Sequence, residues 1–188
     1  MVVSLTKGSS LSLTKSGGSA LSKVLVGLGW DEAKGGLFGG SIDLDASAIL
    51  LGGDKRVLDT VWYGGLNSKD GSVHHNGDNL TGAGDGDDEQ IVIDLARVDA
   101  QVQSIVIVIT SYSKHSFSKI SNVFARVADI SGAENELVRY NLADAGNRTA
   151  QIVAKLTRQG SGWAFTAIGN PADGRTAKDV VADAQAAV

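Results

Sequence analysis

The chain has 188 residues, 43% of them hydrophobic, with 24 glycines, one proline, no cysteine and a formal net charge of −4. That length and apolar content suffice for one ordinary domain with a real core. The missing cysteine excludes disulfide frameworks, thiolate metal sites, iron–sulfur clusters and thiol nucleophiles, and the negative charge argues against a generic nucleic-acid or anionic-membrane binder.

Apolar runs rich in Val and Ile, punctuated by glycine, predict strands joined by tight turns. "VVSLTKGSSLSLTK" repeats itself eight residues apart around Gly8, which predicts a β-hairpin, since no third copy follows. Next come "KVLVGLGW", "SIDLDASAILL", "VLDTVWY", "QIVIDLA", "SIVIVIT", "NVFARVADI", "ELVRYNL", "AQIVAKLTR" and "GWAFTAI", each with strand-like length and flanking turn signals. "SIVIVIT", Ser104 to Thr110, is apolar on both faces, as a strand covered on each side would be. "SKHSFSKIS" reads as a short helix or loop. Between about 175 and 187, Ala177, Val180, Val181 and Ala184 fall at i, i+3, i+4 and i+7, the pattern of a terminal amphipathic helix. The sum is a mainly β fold: a two-sheet antiparallel β-sandwich with short helices, spanning 1–188 as one domain. The start, "MVVSLTKGSS", has no basic and apolar leader pattern, and no apolar stretch approaches the ~18 residues needed to span a bilayer. A cytoplasmic protein without direct membrane insertion is therefore expected.

The charge is unevenly spread. Between Lys69 and Arg97 lie seven of the 21 acidic residues and no Lys or Arg, so the remaining chain, with 14 acids against 17 bases, is slightly basic. The stretch "GDNLTGAGDGDDE", Gly77 to Glu89, concentrates Asp78, Asp85, Asp87, Asp88 and Glu89 with four glycines. Crowded carboxylates raise one another's pKa unless they stay in water or enclose a cation. A hard divalent ion such as calcium wants six to eight oxygens, and this segment offers carboxylates, the Asn79 amide, the Thr81 hydroxyl and backbone carbonyls on a flexible glycine-rich frame. In "IDLDASA" the period-two alternation puts Asp43, Asp45 and Ser47 on one face, two carboxylates about 7 Å apart that want a positive charge between them. If that strand end lies beside the loop, the carboxylates exceed the needs of one ion, which points to two adjacent calcium sites. A solvated acidic turn is the competing reading, because Asp, Asn and Gly are also ordinary turn residues. An EF-hand loop does not fit: counted from Asp85, its sixth position is Gln90 rather than Gly.

His74 and His75 precede the loop and suggest an alternative, a metal-dependent hydrolase in which they join the acidic loop around an activated water. Neighbours in an extended segment point to opposite sides, so at most one could face a given ion, and polar surface histidines are the expected reading. His115 beside Ser116 lacks any GxSxG elbow. Trp30, Trp62 and Trp163 read as core or rim packing.

The motifs "VSLTKG", "VGLGWD", "DLDASA", "HNGDNLTGAGDGDDE" and "FSKISNVFARVAD" occur in the order found in the TerD family of tellurium-resistance and general stress proteins, which the chain resembles over nearly its whole length. The resemblance implies a calcium-binding β-sandwich of a bacterial tellurite and chemical stress resistance system, acting as a non-catalytic binding or scaffold module. Its implied partners are other Ter-family proteins and a TerC-like membrane protein, which would place it at the inner face of the membrane. By motif position the implied ion ligands are Asp43, Asp45, Asp78, Asn79, Asp85, Asp87, Asp88 and Glu89, with Asp31 and Asn67 as outer candidates. Ala83 stands where relatives commonly carry Glu, which removes one peripheral carboxylate.

Overall fold

Runs rich in β-branched and other apolar residues, most of them buried along nearly their whole length, build most of this chain into strands. A computed structural model describes residues 3–4, 8–12, 21–31, 42–81, 86–142 and 146–188. Among them are twelve strands: β1 (Val3–Ser4), β2 (Ser10–Ser12), β3 (Lys23–Gly29), β4 (Leu44–Gly52), β5 (Val57–Val61), β6 (Val73–His75), β7 (Glu89–Asp94), β8 (Val102–Ser111), β9 (Phe124–Asp129), β10 (Asn135–Asn141), β11 (Ala150–Gln159) and β12 (Gly162–Ala172). They form two sheets, ordered β1-β10-β9-β3-β7-β6 and β2-β12-β11-β8-β4-β5. Every neighbouring pair is antiparallel except β1 with β10. The sandwich expected from the sequence is the fold observed.

The two inner faces meet in one core. Val24, Val26 and Leu28 of β3 and Ile91 and Ile93 of β7 face Leu44, Ala46, Ala48 and Leu50 of β4 and Ile105, Ile107 and Ile109 of β8. The other side of the second sheet is also apolar: Ile49, Leu51, Val106, Val108 and Ile152 cluster with Ala177, Val180 and Ala184. Those last three belong to a 3-10 turn (Ala177–Val180) and a short helix α1 (Val181–Ala186), which together occupy the predicted terminal helix. Hence "SIVIVIT" is buried on both faces: one lines the sandwich and the other lies under the C-terminal segment.

One expectation fails. The two copies of the N-terminal echo do not pair as a hairpin. Val3–Ser4 runs parallel to β10 at the edge of one sheet, whereas Ser10–Ser12 pairs antiparallel with β12 at the edge of the other. The Gly8 N–H donates to the Ala167 carbonyl at 2.8 Å. Each copy thus completes the open ladder of a large sheet, a better outcome than an isolated two-stranded ribbon, which is marginal in water. "SKHSFSKIS" contains a single 3-10 turn, Phe117–Lys119. Among the described residues no helix is long and apolar enough to cross a membrane.

Candidate metal centre

The first two acids are Asp43, just ahead of β4, and Asp45, its second residue. Asp45 lies opposite Thr110 of β8, and the Asp43 carbonyl accepts from the Tyr112 N–H at 3.1 Å, so the alternation expected of "IDLDASA" holds through both. The segment between β6 and β7 swings from the first sheet across this strand end and brings Asp78 to it. One ligand oxygen from each of Asp43, Asp45 and Asp78 lies within 4.8 Å of the others. Asp45 is only 3% exposed, while Asp78 reaches solvent. Asp43 Oδ1 and Asp45 Oδ2 are buried and have no hydrogen-bond partner among the described residues.

Burial pushes the Asp45 carboxyl up to about 8, and the nearby charges of Glu89, Asp43 and Asp78 push the same way. Asp43 is raised by burial and by Asp78. Orphaned buried acceptors that repel one another cost free energy, and either a proton or a cation relieves it. An open cleft of about 600 Å³ adjoins the group, lined by Asn76, Asp78, Asn79, Thr81 and Asp88 among others. A hard cation suits this donor set, which is all oxygen, carboxylate-rich and open on one side.

The remaining loop acids divide by what they meet. Glu89, 1% exposed, opens β7 on its inner face and reaches the opposite sheet, where its Oε2 accepts from the Ala46 N–H at 2.6 Å. That amide faces the β5 side of β4 ahead of Ala48, where pairing with β5 begins, so Glu89 satisfies a group the ladder leaves open. The Asn79 N–H donates to Glu89 Oε1 at 3.3 Å. Asp88 Oδ2 accepts from the Trp30 N–H at 2.8 Å and Oδ1 from Asn79 Nδ2 at 3.2 Å. Asn79 Oδ1 in turn accepts from the Thr81 N–H, an Asx-type turn that shapes the loop. Asp88, Glu89 and Asn79 therefore build the loop's frame beside the trio.

Asp87 goes elsewhere. Its two oxygens accept from Arg126 Nε and Nη2, each at 2.6 Å, and Gln90 Nε2 adds a third bond at 3.0 Å. The pair is largely buried, with the Asp87 side chain 2% and the Arg126 side chain 11% exposed. The hydrogen bonds that Arg126 donates to Asp87, with another to Glu134, hold the guanidinium pKa above its ordinary value against the opposing effect of burial. The carboxylate lies flat over Gly27 of β3, where any Cβ would overlap it. Asp87 is thus committed to a fork-to-fork ion pair rather than to the trio.

Of the outer candidates, Asp31 is exposed and accepts from Asn122 Nδ2 at 2.7 Å, and Asn67 is exposed with its Oδ1 2.7 Å from His74 Nδ1. Neither belongs to the trio. Asp85 and Ala83 lie outside the described residues. The histidines do alternate, but His75 is fully buried rather than a surface residue, because β6 pairs with β7 and turns Val73 and His75 inward. Its Nδ1 accepts from the Gly77 N–H at 3.1 Å, which leaves Nε2–H to face Glu89 Oε2 at 3.3 Å. Both ring nitrogens of His75 are engaged and His74 Nδ1 meets Asn67, so among the described residues neither histidine joins the acidic trio. Trp30 and Trp163 are core residues, as expected, and Trp62 sits at the rim under Lys178.

Arg126 is the functional neighbour that the sequence reading missed. A basic residue on the outer face of "FARVAD" was the available signal, yet its partner lies 39 positions away.

A family model described as the TerD domain matches residues 1–180. The chain is 44% identical to the tellurium resistance protein TerZ of Serratia marcescens, covering 100% of this chain and 99% of that protein. It is 42% identical to the stress response protein SCP2 of Bacillus subtilis (strain 168), covering 96% and 98%. The crystal structure of a homologue of the telluride resistance protein TerD from Streptomyces coelicolor A3(2) superposes with a TM-score of 0.71 at 25% identity, over 82% of this chain and 92% of that one.

Proposed function

The chain belongs to the TerD domain family, and from that premise we propose that it is a calcium-binding, non-catalytic module of a tellurite and chemical stress resistance system. The observation that carries the proposal is Asp45: a carboxylate 3% exposed, whose Oδ2 has no partner among the described residues, placed against Asp43 and Asp78. A bound divalent cation supplies the positive charge that this arrangement lacks. Asp43, Asp45 and Asp78 would hold it, and Asn79, Asp88 and Glu89 would keep the loop in place. The second ion of the proposal follows from the carboxylate count of this segment.

The system assignment is supported by relatives named for tellurium resistance and stress response. A binding role rather than a catalytic one accords with those names. The partner part of the proposal, other Ter-family proteins and a TerC-like membrane protein met at the inner face of the membrane, rests on the family alone and is tested by capture from cells with and without calcium.

Calorimetric titration of the chelator-stripped protein with calcium, magnesium and zinc tests the ion. Calcium should bind and raise the melting temperature, reversibly on chelation. At free calcium a hundred times the dissociation constant the gain is about 2.7 kcal/mol. No heat and no melting shift at millimolar calcium would overturn the reading.

A further inference from the structure

The face of the second sheet that carries the carboxylates also carries an aromatic shelf and a guanidinium with a free fork. Tyr112 stands across from Asp43, its N–H on the Asp43 carbonyl, and continues the register that pairs Leu44 with Ser111 and Asp45 with Thr110. Alternation therefore sends the Tyr112 side chain to the face of Asp43 and Asp45. Tyr112 remains 41% exposed, and Tyr63 meets its ring edge-on with centroids 5.9 Å apart.

Arg175, where the chain enters its C-terminal segment, is fixed on this shelf at two points. Its Cζ lies 4.4 Å from the Tyr112 ring centre, and its Nε donates to the Tyr112 carbonyl at 3.0 Å. Among the described residues its remaining nitrogens meet no acceptor and it forms no ion pair, whereas Arg126, Arg139 and Arg148 each pair with a carboxylate. The Tyr112 N–H meets the Asp43 carbonyl and the Tyr112 carbonyl holds Arg175 Nε, so the guanidinium and the carboxylates share one strand end. A pre-positioned fork beside a cation site is a receptor for an anion.

We propose that the ion-loaded protein binds a phosphate monoester, its phosphoryl oxygens shared between the cation held by Asp43, Asp45 and Asp78 and the guanidinium of Arg175, with the ester group against Tyr112. The inference rests on the ion reading above, since the bare carboxylates would repel the phosphate. A phosphate monoester is favoured over a carboxylate because it carries nearly two negative charges and three tetrahedrally placed outer oxygens, so that two can face the fork while the third meets the ion.

The test is calorimetric titration of phenyl phosphate into calcium-loaded and chelator-treated protein, with calcium affinity measured separately. Saturable binding should require calcium, and it should weaken on the order of tenfold or more in Arg175→Gln and Arg175→Lys, the second keeping the charge but losing the fork. Calcium affinity should stay within about threefold in both, as expected of a neighbour that is not a ligand. Both variants should fold, because the Asp179 cap of this turn uses the backbone N–H of Arg175 and Thr176 and not the Arg175 side chain. Unchanged binding in Arg175→Gln, binding that survives chelation, equal binding of benzoate, or no binding to calcium-loaded protein would each overturn the proposal while leaving the ion reading intact. Failure of calcium itself to bind would overturn both.

Discussion

Replacing Asp45 by Asn keeps the size of the side chain and deletes its charge, so it separates the cost of this carboxylate from its use. In the ion-free protein the carboxyl titrates near 8, against 3.8 as the ordinary value. Between those values the folded state holds a proton that the unfolded chain has released. Stability contributed by this group is therefore fully present below about pH 4 and is lost as pH rises toward 8. Four pKa units correspond to a ceiling of about 6 kcal/mol. Relaxation and water entry around a buried charge lower that, so about 2 to 3 kcal/mol is the working expectation. In chelator at pH 8, Asp45→Asn should then melt about 5 to 10 °C above the parent protein, and at about pH 4 the two should nearly coincide. Saturating calcium should close or reverse the gap, because only the parent gains the roughly 2.7 kcal/mol of ligand stabilisation at a hundredfold excess over the dissociation constant. The assay is thermal and urea unfolding at both pH values, with chelator and with calcium. If Asp45→Asn melts lower than the parent in chelator at pH 8, or if calcium stabilises both equally, Asp45 is not a strained ligand waiting for a cation.

Asp87→Asn should leave calcium affinity within a few-fold of the parent, since Asp87 faces Arg126; a loss of a hundredfold by calorimetry would return it to the ligand set. Arg126→Leu strands the buried Asp87 carboxylate and should cost about 3 to 5 kcal/mol in urea unfolding, more than Asp87→Asn does. Glu89→Ala orphans the Ala46 N–H and removes the acceptor facing His75 Nε2, so a loss of about 2 to 4 kcal/mol is expected even with calcium present, with Glu89→Gln milder. Asp70, partly buried, is nonetheless held down at about 2 by hydrogen bonds from Ser68, Ser72 and the Asp99 N–H. Its contribution is present above the ordinary carboxylate range and is lost as pH falls through about 2, so Asp70→Asn should flatten the acid limb of a stability–pH curve between about pH 4 and 2.

The sandwich was legible because its longer strands are Val- and Ile-rich runs of strand length set between turn signals, and β8 announced its double burial by being apolar on both faces. β6 was not read, since three residues after the turn at Gly71 carry too little pattern to register. Asp43 and Asp45 were placed correctly because strand alternation is a local rule. The loop acids were not separable by any such rule. Asp87 and Glu89 share parity, yet regular pairing of β7 starts only at Glu89, after Gly86 with its φ of +100°. One acid consequently turns outward to Arg126 and the other crosses the core. What each meets is decided by the register of β3, β7 and β9, which no short window contains. His75 was misjudged for a similar reason: a polar tandem pair looks exposed until an edge strand turns one member inward.

Glu89 starts in one sheet and ends on an amide of the other, so its side chain ties the two sheets together at this end of the sandwich. Local gaping there would release the Ala46 N–H to solvent while the β4–β8 ladder stays closed. Deuterium exchange at that one amide thus gauges how often the two halves breathe apart, and slower exchange on adding calcium would register the ion as a brake on that motion.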